Sequence, residues 1–355
     1  MTQAPLKINP KQNKALFFSD LHLGVHQNSQ VWQNVALDLA DWINQIMIER
    51  KLDTIFFGGD VFHDRHEIGV STLHVAKRFF DKLSAYQIYM IPGNHDAFLS
   101  ATVDINSIEI LENKNVYVFT KPQTLEVGER KVTLCPWKTN VNTLDPVDLL
   151  LGHFEIVNFR MNPTKVCDHG DGSAALLEKA TAVVSGHFHI RDFRDYGSKY
   201  ILYLGSPYEM DFGDRGQSRG VSIIDFDDLS VEFIENNITP KHQRIMISEL
   251  VARKYSDLAS VIKNNIVSVY VDSKVDTLTL DLLVKKLASY NPLQLRTEFN
   301  ILDDAQTDIK NVQKLSIDIE TAFHEFIEHV ETRATKQEVL NKCLELYKSS
   351  QTFYE

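Results

Sequence analysis

Up to about residue 237, short apolar runs alternate with longer stretches of mixed character. The runs fall at residues 15–18, 54–57, 88–91, 132–134, 149–151, 182–184 and 201–204. They are continuous and rich in β-branched or aromatic residues, which predicts buried strands. Between the first two, residues 31–50 carry Val35, Leu39, Trp42, Ile43 and Ile46 at helical spacing. Residues 70–86 do the same with Leu73, Phe80 and Leu83, with Lys77 as the polar break. Strand–helix alternation predicts an α/β layered domain. Residues 221–226 and 231–234 flank an Asp227-Asp228 turn and read as a hairpin.

The texture changes after Asn236-Asn237. Residues 266–271 and 293–299 read as strands and 278–290 as a helix, a small α+β unit. Residues 303–311 are polar and acidic, a linker. Two amphipathic helices follow. One stripe holds Leu315, Ile319, Ala322, Phe323, Phe326 and Val330; the other holds Val339, Leu340, Cys343, Leu344 and Tyr347. The expected organisation is a tail at 1–13, a main domain at 14–237, a small domain at 238–302, and a linker with a helical pair at 303–355.

Composition narrows the class. No stretch approaches the roughly 18 to 20 apolar residues of a membrane span, and the polar N-terminus lacks the apolar core of a signal peptide. Cys135, Cys167 and Cys343 lie far apart. That spacing suits a reducing cytoplasm and argues against a disulfide framework or a thiolate zinc site. The net charge of −11 does not advertise a nucleic-acid binder. Binding DNA would require metals that offset the acids locally, a local basic surface, or a partner that supplies contacts.

Metal-capable residues fall where the predicted strands end. Asp20 and His22 follow the first, Asp60 the second, and Asn94, His95 and Asp96 the third. His153 follows residues 149–151, and His187 and His189 follow residues 182–184. Functional groups gather outside the carboxyl ends of strands in an open α/β sheet, so all five ends would converge on one rim. Gly24, Gly58, Gly59, Gly93, Gly152 and Gly186 accompany them and permit tight strand exits. One histidine after a strand is ordinarily a packed or solvated residue; five strand ends in order are not a coincidence of that kind. Imidazole mixed with carboxylate suits Mn(II), Fe(II) or Zn(II) over an all-oxygen Mg(II) or Ca(II) site. His26, His66, His74, His169, His242, His324 and His329 take the bland reading, solvated or packed.

The motifs are Ser19-Asp20-Leu21-His22-Leu23-Gly24, Gly59-Asp60-Val61-Phe62-His63, Gly93-Asn94-His95-Asp96, Gly152-His153 and Gly186-His187-Phe188-His189. Together they resemble the calcineurin-like metallophosphoesterases over residues 19–189. Asp-x-His-Leu-Gly, Gly-Asp-x-Phe-His and the late segment Tyr203-Leu204-Gly205-Ser206-Pro207, with Phe212 and Arg219-Gly220-Val221, are similar to the nuclease subunits of SbcCD-type DNA-repair complexes, in particular phage versions. Asp214 departs from the Glu common in that group but keeps its charge.

The resemblance implies a layered core of mixed β-sheets flanked by helices and two divalent ions, read best as Mn(II). Asp20, His22, Asp60 and His189 would hold one; Asp60, Asn94, His153 and His187 would hold the other, with Asp60 as the bridge. His95 and His63 would face the scissile phosphate, and Asp96 would orient the His95 ring. It further implies cleavage of duplex ends and single strands. An SMC-like ATPase partner would be bound through the C-terminal helices, the small α+β unit would cap the nuclease, and a homodimer would sit within a heterotetramer in the host cytoplasm. Arg65, Lys138 and Arg215 are candidates for gripping DNA phosphates. The competing reading is a small-molecule or protein phosphoesterase, in which the chain beyond Asn236 would shape a pocket or pack internally.

Overall fold

A computed structural model describes residues 6–252, 255–299, 327 and 335–351. The chain divides into two units: residues 1–269 with 275–297, and residues 270–274 with 298–355.

In the first unit the apolar runs form two sheets. One has six strands in the order Val231–Glu235, Gly220–Asp225, Lys14–Phe18, Thr54–Phe57, Gln87–Met90 and Val116–Val118. Its last four strands run parallel, while Gly220–Asp225 pairs antiparallel with both neighbours. The other has seven, in the order Leu6–Ile8, Gln123–Val127, Arg130–Cys135, Val147–Gly152, Ala180–Ser185, Tyr200–Tyr203 and Asp192–Asp195. Its central strands from Arg130–Cys135 to Tyr200–Tyr203 are parallel.

Side-chain alternation with period two explains the layering. Phe17 and Phe56 point one way and pack with Leu134, Leu149, Leu151, Val184 and Leu202 of the other sheet. Their rings stack with centroids 4.9 Å apart. Leu16, Phe18, Ile55 and Phe57 point the other way, onto Val35, Leu39 and Ile43 of helix Gln30–Glu49 and Val75 and Phe79 of helix Val70–Lys82. The outer face of the seven-stranded sheet, with Leu150, Val183 and Ile201, is covered by Leu176 of helix Ser173–Lys179. Both faces of each sheet are therefore buried, which is why the strands read as unbroken apolar runs. Each fully buried Phe or Leu contributes about 1.5–3 kcal/mol.

The expected layered core of mixed β-sheets flanked by helices is present, but the five ligand-bearing strands do not lie in a single sheet. Lys14–Phe18, Thr54–Phe57 and Gln87–Met90 lie in the six-stranded sheet, and Val147–Gly152 and Ala180–Ser185 in the seven-stranded one. Local pattern cannot distinguish these arrangements, because which strands pair is decided by contacts far apart in sequence. Residues 6–13 are not a plain tail either: Leu6–Ile8 pairs in parallel with Leu125, Glu126 and Val127.

Beyond Asn236, strands His242–Met246, Ile266–Val271 and Gln294–Phe299 form a three-stranded sheet in chain order. Helix Thr277–Ala288 begins at Asp276, whose carboxylate accepts the Thr279 N–H at 2.9 Å. His242 is buried against Trp32 and Phe212 and pairs with the Glu209 carboxylate at 3.2 Å, a packed histidine. In the second unit, helix Lys336–Gln351 opens with a Thr335/Glu338 capping box. The linker at 303–311 and the helix expected over Leu315 to Val330 lie outside the described residues, apart from Ile327. Among the described residues no helix is long and apolar enough to cross a membrane.

Candidate metal centre

The loops leaving the five strands are built in unusual backbone conformations. Asp20, His22, Asp60 and His187 adopt positive φ of 57°, 45°, 62° and 90°. Non-glycine residues avoid this region, at about 1–3 kcal/mol each, and such strain concentrates at functional sites. Hydrogen bonds hold it in place. Asp20 N–H donates to the Gly59 carbonyl at 2.9 Å, and Leu21 and His22 N–H donate to the Asp60 carbonyl at 2.8 and 3.2 Å. Two glycines are required by space. A Cβ on Gly59 (φ +100°) would stand 2.7 Å from His153 Nδ1, and one on Gly93 would overlap Asp60 Oδ1.

The loops gather the predicted ligands into two groups. Asp20, His22 and His189 offer donor atoms within 4.8 Å of one another, and so do Asp60, His153 and His187. Asn94 joins the second group: its Oδ1 lies 3.0 Å from His153 Nε2 and 2.8 Å from His187 Nδ1. Asp60 stands between the two. Its Oδ2 is 3.6 Å from His22 Nε2 and 3.3 Å from His153 Nε2. His189 Nε2 faces His22 Nε2 at 3.0 Å.

The electrostatics of this cluster suit a cation. Burial raises the Asp20 carboxyl to about 7 and also raises Asp60. Burial likewise drives His22 well below its ordinary value, His189 to about 3, and His187 downward. The imidazoles are thus neutral, with free lone pairs beside carboxylates that cannot comfortably hold charge on their own. A divalent cation reverses the penalty on the carboxylates and accepts the nitrogen lone pairs. The donor set of nitrogen and oxygen atoms fits two such ions.

His95 lies over the first group, its ring 4.7 Å from that of His22 and 5.9 Å from His63. Its backbone N–H donates to Asp60 Oδ1 at 2.8 Å. His22, His63 and His95 also offer nitrogens within 4.8 Å, so His22 belongs to two clusters. Asp96 does not orient the His95 ring as expected. Its buried carboxylate accepts the N–H groups of Asp60, Val61, Phe62 and Gly93 at 2.8, 2.9, 3.2 and 2.9 Å. The His63 carbonyl, 2.6 Å from Nδ1, orients the ring instead. Asp96 ties the second and third motifs together, because a carboxylate surrounded by backbone donors is worth more there than against one imidazole. His63 is exposed and borders a cleft of about 820 Å³ with His26, Phe62, Asp64 and Thr72.

Three neighbours have no role that the sequence assigns. The Trp137 ring packs 5.9 Å from His153 and 5.1 Å from His187. Glu155 lies 3.8 Å from His187 Nε2 and pairs with Lys138 at 3.2 Å. Arg219, fully buried, grips the His189 carbonyl and Ser206 Oγ and pairs with Asp214 at 2.6 Å. Of the suggested DNA contacts, Lys138 is engaged with Glu155 and the Trp137 ring, and Arg215 borders a cavity that includes His189.

Calcineurin-like phosphoesterases match residues 14–191, the stretch that carries every one of these ligands. The chain belongs to that family. This phosphoesterase is 28% identical over 244 residues to exonuclease subunit 1 of Enterobacteria phage T4, covering 65% of this chain and 70% of that protein. Among solved structures, an archaeal phosphodiesterase is similar at 14% identity and TM-score 0.36, over 63% of this chain and 99% of its own. A phosphopantetheinyl hydrolase from Mycobacterium tuberculosis is similar at 15% identity and TM-score 0.33, over 55% of this phosphoesterase and 89% of its own chain.

Proposed function

We propose that the chain is a metal-dependent DNA nuclease subunit that hydrolyses phosphodiester bonds. One observation carries the two-ion reading: a single buried oxygen, Asp60 Oδ2, faces histidines of both ligand groups. Asp20, His22, Asp60 and His189 would hold one ion; Asp60, Asn94, His153 and His187 would hold the second. Divalent ions bound there, Mn(II) by the nitrogen-rich donor set, supply Lewis acidity to the phosphate and lower the pKa of water. His95 and His63 face the substrate side. His95, held by the His63 carbonyl, presents its other ring nitrogen to stabilise charge on the phosphate or to protonate the leaving oxygen. Asp96 positions the Asp60 and Gly93 backbone rather than touching substrate.

DNA as the substrate rests on the motif details and on the similarity to a phage exonuclease subunit. We extend this reading to an SMC-like ATPase partner engaged by the C-terminal helices, a homodimer within that assembly, and action in the host cytoplasm. A chain cut after Leu302 that still co-purifies with such an ATPase would contradict the partner assignment. The charge of −11 favours a second reading, hydrolysis of a small phosphodiester. Linear duplex DNA, circular single-stranded DNA and a small phosphodiester assayed side by side with Mn(II) decide between them. Turnover of both DNAs is expected, and turnover of the small diester alone would reject the nuclease.

A further inference from the structure

The hairpin that follows the third motif displays apolar side chains where polar ones are ordinary. Strands Ala97–Leu99 and Thr102–Asn106 pair antiparallel. Their inner face is fixed to the metal centre. Ala97 and Val103 pack on Trp137, whose ring lies against His153 and His187. The Trp137 indole N–H donates to the Ser100 carbonyl at the hairpin tip at 2.9 Å, and Ser107 N–H donates to the Asp96 carbonyl at 2.9 Å. The hairpin nevertheless exposes Phe98 (47%), Leu99 (52%) and Ile105 (62%). Antiparallel strands with one solvated face normally put polar residues there, and large apolar side chains exposed beside a site mark contact with something. Phe98 follows His95 by three residues, past the turn at 94–96, and its ring meets that of His66 at 5.9 Å.

The chemistry of the patch selects its occupant. The hairpin contains no Lys or Arg and carries Asp104, so it repels phosphate. A phosphodiester seated in the metal centre nevertheless brings its flanking nucleosides alongside, and the neutral part of a nucleotide is its base. Resting on the nuclease reading above, we infer that the 97–106 hairpin is a nucleobase platform on which Phe98 stacks the base next to the scissile phosphate. It supplies an attraction that does not depend on charge. In a chain this acidic such an attraction adds to whatever counterion release local cations supply.

The test compares the full-length protein with Phe98→Ala on a fluorescent oligothymidylate and on an abasic strand of equal length. Affinity is read by anisotropy in EDTA and kcat/KM with Mn(II). Phe98→Ala is expected to lower oligothymidylate affinity roughly 5- to 100-fold, the range of a lost base stack. The loss should be the same at low and high salt, and the preference over the abasic strand should disappear. Phe98→Trp should restore the preference. Equal losses on both strands would overturn the platform, since the contact would then lie with the backbone or the fold. So would a fall in oligomeric mass with base preference intact, which would assign the patch to a second copy of the chain. If the unsubstituted protein turns over a small diester but neither binds nor cuts either strand, the nuclease reading itself fails.

Discussion

The two halves of the metal centre are supported in different ways. In the half built on Asp60, Asn94, His153 and His187, a side chain is anchored by a hydrogen bond: His153 Nδ1 donates to the Gly58 carbonyl at 2.7 Å, which turns its Nε2 toward Asn94 Oδ1. The half built on Asp20, His22 and His189 leans more on its main chain, although the Asp20 carboxylate also accepts the His187 N–H at 3.1 Å. Asp20 and His22 sit in left-handed turns, and Arg219 secures the His189 carbonyl. His22 Nδ1 is buried without a hydrogen-bond partner. The difference teaches that one half is preformed at its side chains, while the other depends on loop conformation and on a buried ion pair behind it. Asp60 is the element common to both.

The largest effect should come from removing what the halves share. Asp60→Ala is expected to drop phosphodiester hydrolysis below detection and to weaken binding at both ion positions. Metal titration by calorimetry with Mn(II) checks this; a variant that still binds two ions with parental affinity would separate the halves and remove Asp60 as the bridge. His95→Ala should act on neither half. It should lower kcat by about 10²- to 10⁴-fold, the range of a lost general acid, with ion stoichiometry unchanged. Loss of an ion in that variant would move His95 into the ligand set, consistent with its place in the His22–His63–His95 group.

The halves also differ in how legible they were. The strand-end aspartates and histidines could be read because each follows an apolar run within a few residues, and strand exit is a local property. The glycines at 59 and 93 were legible for the same reason. Which strand falls in which sheet was not, because Phe17 meeting Leu134 and Leu149 is a contact across more than a hundred residues. The role of Asp96 was misjudged by adjacency: next to His95 in sequence, it turns away to four backbone N–H groups. Arg219 stood in a recognised segment but with no role, since a guanidinium acting on a main-chain carbonyl leaves no pattern in the residue it supports.

Arg219 offers the next way to sharpen the comparison. Arg219→Met leaves Asp214 buried without its cation, which costs about 3–5 kcal/mol. Denaturant unfolding should register that loss. Calorimetry should then find the larger weakening at the Asp20–His22–His189 position, because His153 is anchored on the Gly58 carbonyl. Equal weakening at both positions would mean that the halves are not separately supported.

The smallest effect expected is one of pH on the metal-free protein. Burial raises Asp20 and Asp96 from an ordinary 3.8 to about 7. A carboxyl whose folded value is raised keeps its proton in the native state after the unfolded chain has released it. The native state then binds more protons, so stability falls as pH rises. The favourable contribution is complete below about 4 and is lost as pH passes through about 7. Metal-free protein should therefore melt at a lower temperature at pH 8 than at pH 5, apart from any general acid unfolding below that range. Added Mn(II) should reverse the slope, because ion binding requires the deprotonated carboxylate and favours the higher pH. Asp96 separates the contributions. It touches backbone rather than ion, so in Asp20→Asn the metal-free slope should shrink but persist, whereas complete loss of the slope would assign the whole effect to the ligand half.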